Sequence, residues 1–139
     1  MNAAKLVLLL SSSLLLLACA AQNFHGLTKM KQVDYQQQHV SQRQFLLSVT
    51  SPDERLSRQA LLLRAAELTE QLTYDWFVVR PERSQQSTAA ANPVVLQTRV
   101  ILGVGIRPAS ACSFHPEQIF NAAKFGWSAN ELSKDSCFT

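Results

Sequence analysis

The residues best equipped for chemistry are three cysteines, Cys19, Cys112 and Cys137, and a small set of charges, Arg64, Glu67 and Asp75. A thiolate can take an acyl group, pair with a second thiol or ligate a soft metal. Cys112-Ser113-Phe114-His115 has Cys-x-x-His spacing, and Cys137 could join it around zinc. A structural zinc site wants four ligands. The other two histidines, His25 and His39, fall in a polar leader, so zinc is the weakest assignment and no metal is expected. A disulfide, two free thiols and a redox pair stay open for Cys112 and Cys137. Arg64 and Glu67 are three residues apart and share a helix face, and Asp75 opens the next strand. This polar cluster could hold a ligand or a partner; the plainer role is a salt-bridged junction between helix and strand.

Other catalytic patterns are missing from the sequence. Gly103-Val104-Gly105 lacks the third glycine and the following helix of a dinucleotide fingerprint. There is no G-x-S-x-G elbow, and no serine comes with a matching histidine and acid. Asp53 and Glu54 are explained by helix capping, and Trp76 and Phe77 by a core. These residues assign no catalytic group and no cofactor, so the expectation is a non-enzymatic protein.

Cys19 has the most specific surroundings. One positive charge, Lys5, precedes the apolar run Leu6-Val7-Leu8-Leu9-Leu10, and Leu14-Leu15-Leu16-Leu17 follows after three serines. A charged start and a short apolar stretch make a secretory signal. The stretch to Ala18 is too short for a spanning helix, which needs about 20 apolar residues. Leu16-Leu17-Ala18-Cys19 resembles the bacterial lipobox. That resemblance implies cleavage after Ala18, a diacylglycerol on the Cys19 thiol and an acylated new amino terminus. Several acyl chains, at about 0.8 kcal/mol per buried methylene, hold a protein firmly on a membrane. Residue two of the mature chain is Ala20 rather than aspartate, which by analogy implies the outer membrane, facing the periplasm.

Removing residues 1–18 leaves 121 residues, enough for one domain with a modest core. The mature chain carries 12 basic and 10 acidic side chains. That balance does not demand nucleic acid, and export argues against it. Lys29, Lys31 and Arg43 lie in or near the leader and suit a solvated segment. With Cys19 lipidated, Cys112 and Cys137 are an even pair in an oxidising compartment, where a disulfide is expected. It closes a loop of 26 residues counting both ends. Chain-entropy arithmetic sets an upper figure of about 3.5 kcal/mol.

The elements that must position these groups are legible from periodicity. Residues 20–41 are glutamine-rich without a sustained period. With Cys19 they read as a lipidated, flexible tether with a reach of about 25 Å, with room for a short strand around Thr28–Val33. Residues 42–139 read as a single domain. Phe45, Leu47 and Val49 alternate in a first strand over Gln42–Thr50. Ser51-Pro52-Asp53-Glu54 reads as a capping box with Ser51 as the cap. The helix it opens is expected over Pro52–Leu72, with Leu61, Ala65, Leu68 and Leu72 on its core face and Arg55, Arg58, Gln59 and Glu70 toward water. Tyr74–Arg80 reads as a central strand, stopping at Pro81. Residues Pro81–Asn92 read as a mobile loop. Val94–Ile106 reads as a long strand, with Val94, Leu96, Val100, Leu102, Val104 and Ile106 in phase, antiparallel to the strand before it. His115-Pro116-Glu117 starts a shorter helix that ends near Gly126. Ala129–Lys134 suits a helical turn. The fold class is therefore α+β: an antiparallel sheet of three or four strands, one main amphipathic helix on one face, and a shorter C-terminal helix.

Leu62-Leu63-Arg64-Ala65-Ala66-Glu67-Leu68-Thr69, followed by Tyr74-Asp75-Trp76-Phe77-Val78-Val79, resembles a family of small, largely uncharacterised Gram-negative envelope lipoproteins. The likeness is dense over about 20 residues and extends over about 60, and it includes the lipobox. The family usually has glycine just before the tyrosine, where this chain has Thr73. The region after Pro108 departs from the family pattern. The resemblance implies an α+β fold in the cell envelope and supplies no catalytic residue. The function expected from it is that of a membrane-anchored protein that binds an envelope protein or assists an envelope assembly. The alternative is a periplasmic small-ligand binder or an enzyme without a recognisable motif.

Overall fold

A computed structural model describes residues 33–82, 94–127 and 137–138. Its elements are β1 (Asp34–Ser41), β2 (Gln44–Ser51), α1 (Glu54–Gln71), β3 (Trp76–Pro81), β4 (Val94–Gly103), β5 (Ser113–Phe114) and α2 (Pro116–Phe125). The five strands form one antiparallel sheet in the order β1-β2-β4-β3-β5. The α+β architecture with one main helix and a shorter C-terminal one is as expected, with more strands than the expected three or four. The additional strands are the two that bury little or are very short. β1 lies at Asp34–Ser41, inside the stretch read as tether, and all eight of its residues are exposed. With no side chain to bury, β1 leaves no apolar period; its backbone is paired along β2 across a two-residue turn. β5 pairs only Phe77 with Phe114 and Val78 with Ser113.

The core lies between the sheet and α1. On β2, Phe45, Leu47, Val49 and Ser51 are buried and their neighbours only half so, which is the period-two pattern of a strand with one core face. Leu96, Thr98, Val100 and Leu102 of β4 and Phe77 and Val79 of β3 continue that face. The phase expected along β4 ends at Gly103, and beyond it Val104 is exposed and Ile106 is 96% exposed. A geometric cause is visible at Gly103. It pairs with Trp76, and a Cβ built there would sit 2.0 Å from the indole. The ring occupies the space of a side chain, and Gly105, at φ +78°, then turns the backbone out of the sheet.

α1 is capped by Asp53, whose side chain accepts from the Leu56 N–H at 2.7 Å. Ser51 does not cap. It is still paired with Val94 in the sheet, and its buried hydroxyl lies 2.6 Å from that of Ser57 and donates to the Asp53 carbonyl. The helix therefore starts at Glu54, two residues later than the Pro52 start expected. Nor is α1 an amphipathic surface helix. From Ser57 to Thr69 only Gln59 escapes full burial. One side rests on β2 and β4, α2 packs on α1 as well, and the Phe138 ring lies 5.1 Å from the Arg58 guanidinium. Arg58, expected in water, is buried and ion-paired with Glu54.

A Schellman motif ends α1: the Tyr74 N–H donates to the Thr69 carbonyl and the Thr73 N–H to that of Glu70. β3 follows at once, running Trp76–Pro81, and is paired with β4 on one side and β5 on the other, an interior strand as expected. α2 begins at Pro116 after His115 and ends at Gly126, as its sequence predicts. The His115 N–H donates to the Gln118 side-chain oxygen at 2.9 Å. The loop read at Pro81–Asn92 and the turn read at Ala129–Lys134 lie outside the described residues, apart from Pro81 and Glu82.

Candidate functional site

Two groups of chemically capable residues can be located on this frame. Cys112 and Cys137 are joined as a disulfide with their Cα atoms 5.5 Å apart. Both thiols are spent on each other. The His115 ring lies at the β3 start, with Nδ1 3.0 Å from the Asp75 carbonyl. Cys137 and Phe138 are buried in the core, so the disulfide fixes these two residues against the domain. Cys19 lies outside the described residues.

The second group is the expected polar cluster, which the fold divides. The Arg64 guanidinium donates to the Glu67 carboxylate at 3.2 Å, and both side chains are buried. Asp75 is used elsewhere. Its carboxylate accepts the Gly105 N–H at 2.6 Å and its own N–H donates to the Gly103 carbonyl. It thereby holds the turn after β4 against the start of β3. Arg64 instead reaches to the sheet edge, where it donates to the Gln37 side-chain oxygen at 3.1 Å and lies 5.0 Å from the Tyr35 ring.

This reach defines the site. In an antiparallel pair, residues directly opposite share a face. Tyr35, Gln37 and His39 pair with Val49, Leu47 and Phe45, so they stand on the side that carries α1. α1 itself covers β2 and β4 and leaves β1 open. His39 stacks on Phe45 with the ring centres 4.7 Å apart. Between β1 and the C-terminal half of α1 lies a cavity of about 400 Å³, lined by Gln37, His39, Phe45, Arg64, Leu68 and Tyr74 among others. Tyr35, Gln37 and His39 were not expected here. A strand that buries nothing has no hydrophobic period, and the turn Gln42-Arg43 lacks the usual Asn-Gly or Asp-Gly signal. One indirect signal was the alternation of Phe45, Leu47 and Val49, which calls for neighbouring strands.

Among the described residues, the outer edge of β1 carries no further strand. An edge strand presents unpaired N–H and C=O groups to any chain that can pair with them. Natural edges are blunted by lysine, proline or bulges. β1 has neither lysine nor proline, and its register shift falls between His39 and Ser41, at the turn end. The other edge is different, since β5 is only two residues long. No family model, curated protein or solved structure matches the chain.

Proposed function

We propose that the chain is a lipid-anchored envelope protein that acts by binding another polypeptide along β1, rather than by catalysis. The observation that carries this reading is the unblunted edge: eight consecutive exposed residues with β2 on one side and, among the described residues, no strand on the other. Strand addition at such an edge draws affinity from main-chain hydrogen bonds and specificity from alternate side chains. Here the alternate side chains of an added strand would meet Tyr35, Gln37 and His39 on the α1 side. The lipobox ending at Cys19 supports the anchor, and the leader up to Val33 supports a spacer between membrane and domain. A tethered domain meets membrane-bound partners at a raised effective concentration.

The small-ligand alternative has the cavity beside Arg64 in its favour. Its polar groups are already engaged, Arg64 with Glu67 and Gln37 and His39 with Phe45, so a ligand would have to break existing contacts. The strand edge asks for no such exchange.

The test is a cross-linked pull-down from the cell envelope with the wild type and Cys19→Ala. The expected result is that Cys19→Ala leaves the membrane fraction and loses its cross-linked partner together. If the variant still fractionates with membrane, the anchor assignment fails.

A further inference from the structure

The chemistry of β1 also indicates what occupies it, given the reading above that β1 is the binding edge. We propose that β1 pairs antiparallel with β1 of a second copy, joining two five-stranded sheets into one of ten strands.

Charge selects the direction. The only charged side chain in β1 is Asp34, at its start. Antiparallel pairing keeps the two Asp34 carboxylates at opposite ends of the joint, each facing the other copy's uncharged Val40 end. Parallel addition would place Asp34 beside Asp34, and like charges side by side are unfavourable.

Side-chain chemistry selects the register. Pairing centred on Gln37 sets Gln37 against its own counterpart and Gln36 against Gln38. An amide is both donor and acceptor, so a glutamine is complementary to a glutamine. The same register sets Tyr35 against His39, an aromatic cross-strand pair of the kind that stabilises sheets.

The fold leaves room for the second copy. The two-fold axis stands perpendicular to the sheet, so both α1 helices lie on one side. α1 rests on β2 and β4, about two strand spacings from the axis. At about 4.8 Å per spacing, the two helix axes lie roughly 19 Å apart. Packed helices need 8–10 Å, so the helices do not collide. Between them runs a groove floored by the two β1 strands and bordered by Arg64 from each copy. An edge of eight residues is small beside a stable stand-alone interface. Anchoring both copies in one membrane supplies the missing concentration.

The experiment uses the full-length lipidated protein in vesicles of phosphatidylethanolamine and phosphatidylglycerol. Gln37→Cys, treated with a short bis-maleimide, should give a covalent homodimer of twice the chain mass. Ser48→Cys, on the far face of β2, should stay monomeric. Adding Gln36→Lys and Gln38→Lys to Gln37→Cys gathers four positive charges around the axis and should cut the cross-linked fraction at least tenfold while far-UV circular dichroism is unchanged. A Gln37→Cys protein that stays monomeric in vesicles but cross-links to a different envelope protein in cells overturns self-pairing and leaves the edge reading standing. Cross-linking to neither overturns both.

Discussion

Thr73 holds a backbone conformation that its side chain opposes. Its φ is +59°, and Thr73 is the one non-glycine residue with positive φ among those described. The position is the C′ residue of the Schellman motif that ends α1, where the left-handed turn lets the Thr73 and Tyr74 N–H groups reach the helix carbonyls. A β-branched residue there is strained by roughly 1–3 kcal/mol. The hydroxyl recovers a little through a 2.7 Å bond to the Leu72 carbonyl at an exposed site. Glycine has no Cβ to oppose that left-handed turn. Thr73→Gly should therefore stabilise the domain, even though glycine is more costly to order from the unfolded chain. The expected gain is about 0.5–1 kcal/mol, read as a higher urea midpoint at unchanged slope. A lower midpoint would mean that the left-handed turn costs threonine nothing.

Elements were legible in proportion to the apolar surface they bury. The first helix, the strand after it and the shorter helix were found because Leu61, Leu68, Phe77 and Ile119 repeat at the spacing of the core they fill. β1 was missed because Gln36, Gln37 and Gln38 bury nothing and leave no apolar period; backbone pairing with β2 and the contacts of Tyr35, Gln37 and His39 hold the strand. The Arg64–Glu67 contact was legible as a three-residue spacing on a helix. Its extension to Gln37 was not, since 27 residues separate the partners. The start of α1 was misplaced for a related reason. Ser51, Asp53 and Glu54 all look like capping residues, and only sheet pairing removes Ser51 from the choice. This assignment can be checked on the element itself. Asp53→Ala should cost about 1 kcal/mol of stability, while Asp53→Asn, which keeps the acceptor for the Leu56 N–H, should lose only a small part of it. Equal losses in both variants would show that charge near the helix dipole, rather than the cap bond, is what Asp53 contributes.

At the scale of the whole molecule, α1 is enclosed rather than laid on a surface. The sheet supports one side, α2 packs on it, and the buried pair Cys137-Phe138 brings the Phe138 ring against Arg58. A helix with buried arginines needs such cover, because an ion pair taken out of water is stabilising only when its contacts are complete. The Cys112–Cys137 bond is what holds the cover at its C-terminal end. It joins the turn before β5 to a residue that contributes to the same core as Leu61 and Phe77. The bond thus links the sheet side to the helix side across the end of the domain, and it does so in a chain with a modest core. Replacing both cysteines with serine should lower the unfolding free energy by about 2–4 kcal/mol, the range for closing a loop of this length. Limited chymotrypsin digestion should then cleave at Phe138 in the variant and spare that site in the oxidised wild type, because Phe138 leaves its seat before α1 unfolds. A midpoint that does not move in the double serine variant would place Cys137 and Phe138 outside the cooperative core. In that case burial of Arg58 would have to rest on α2 and the sheet alone.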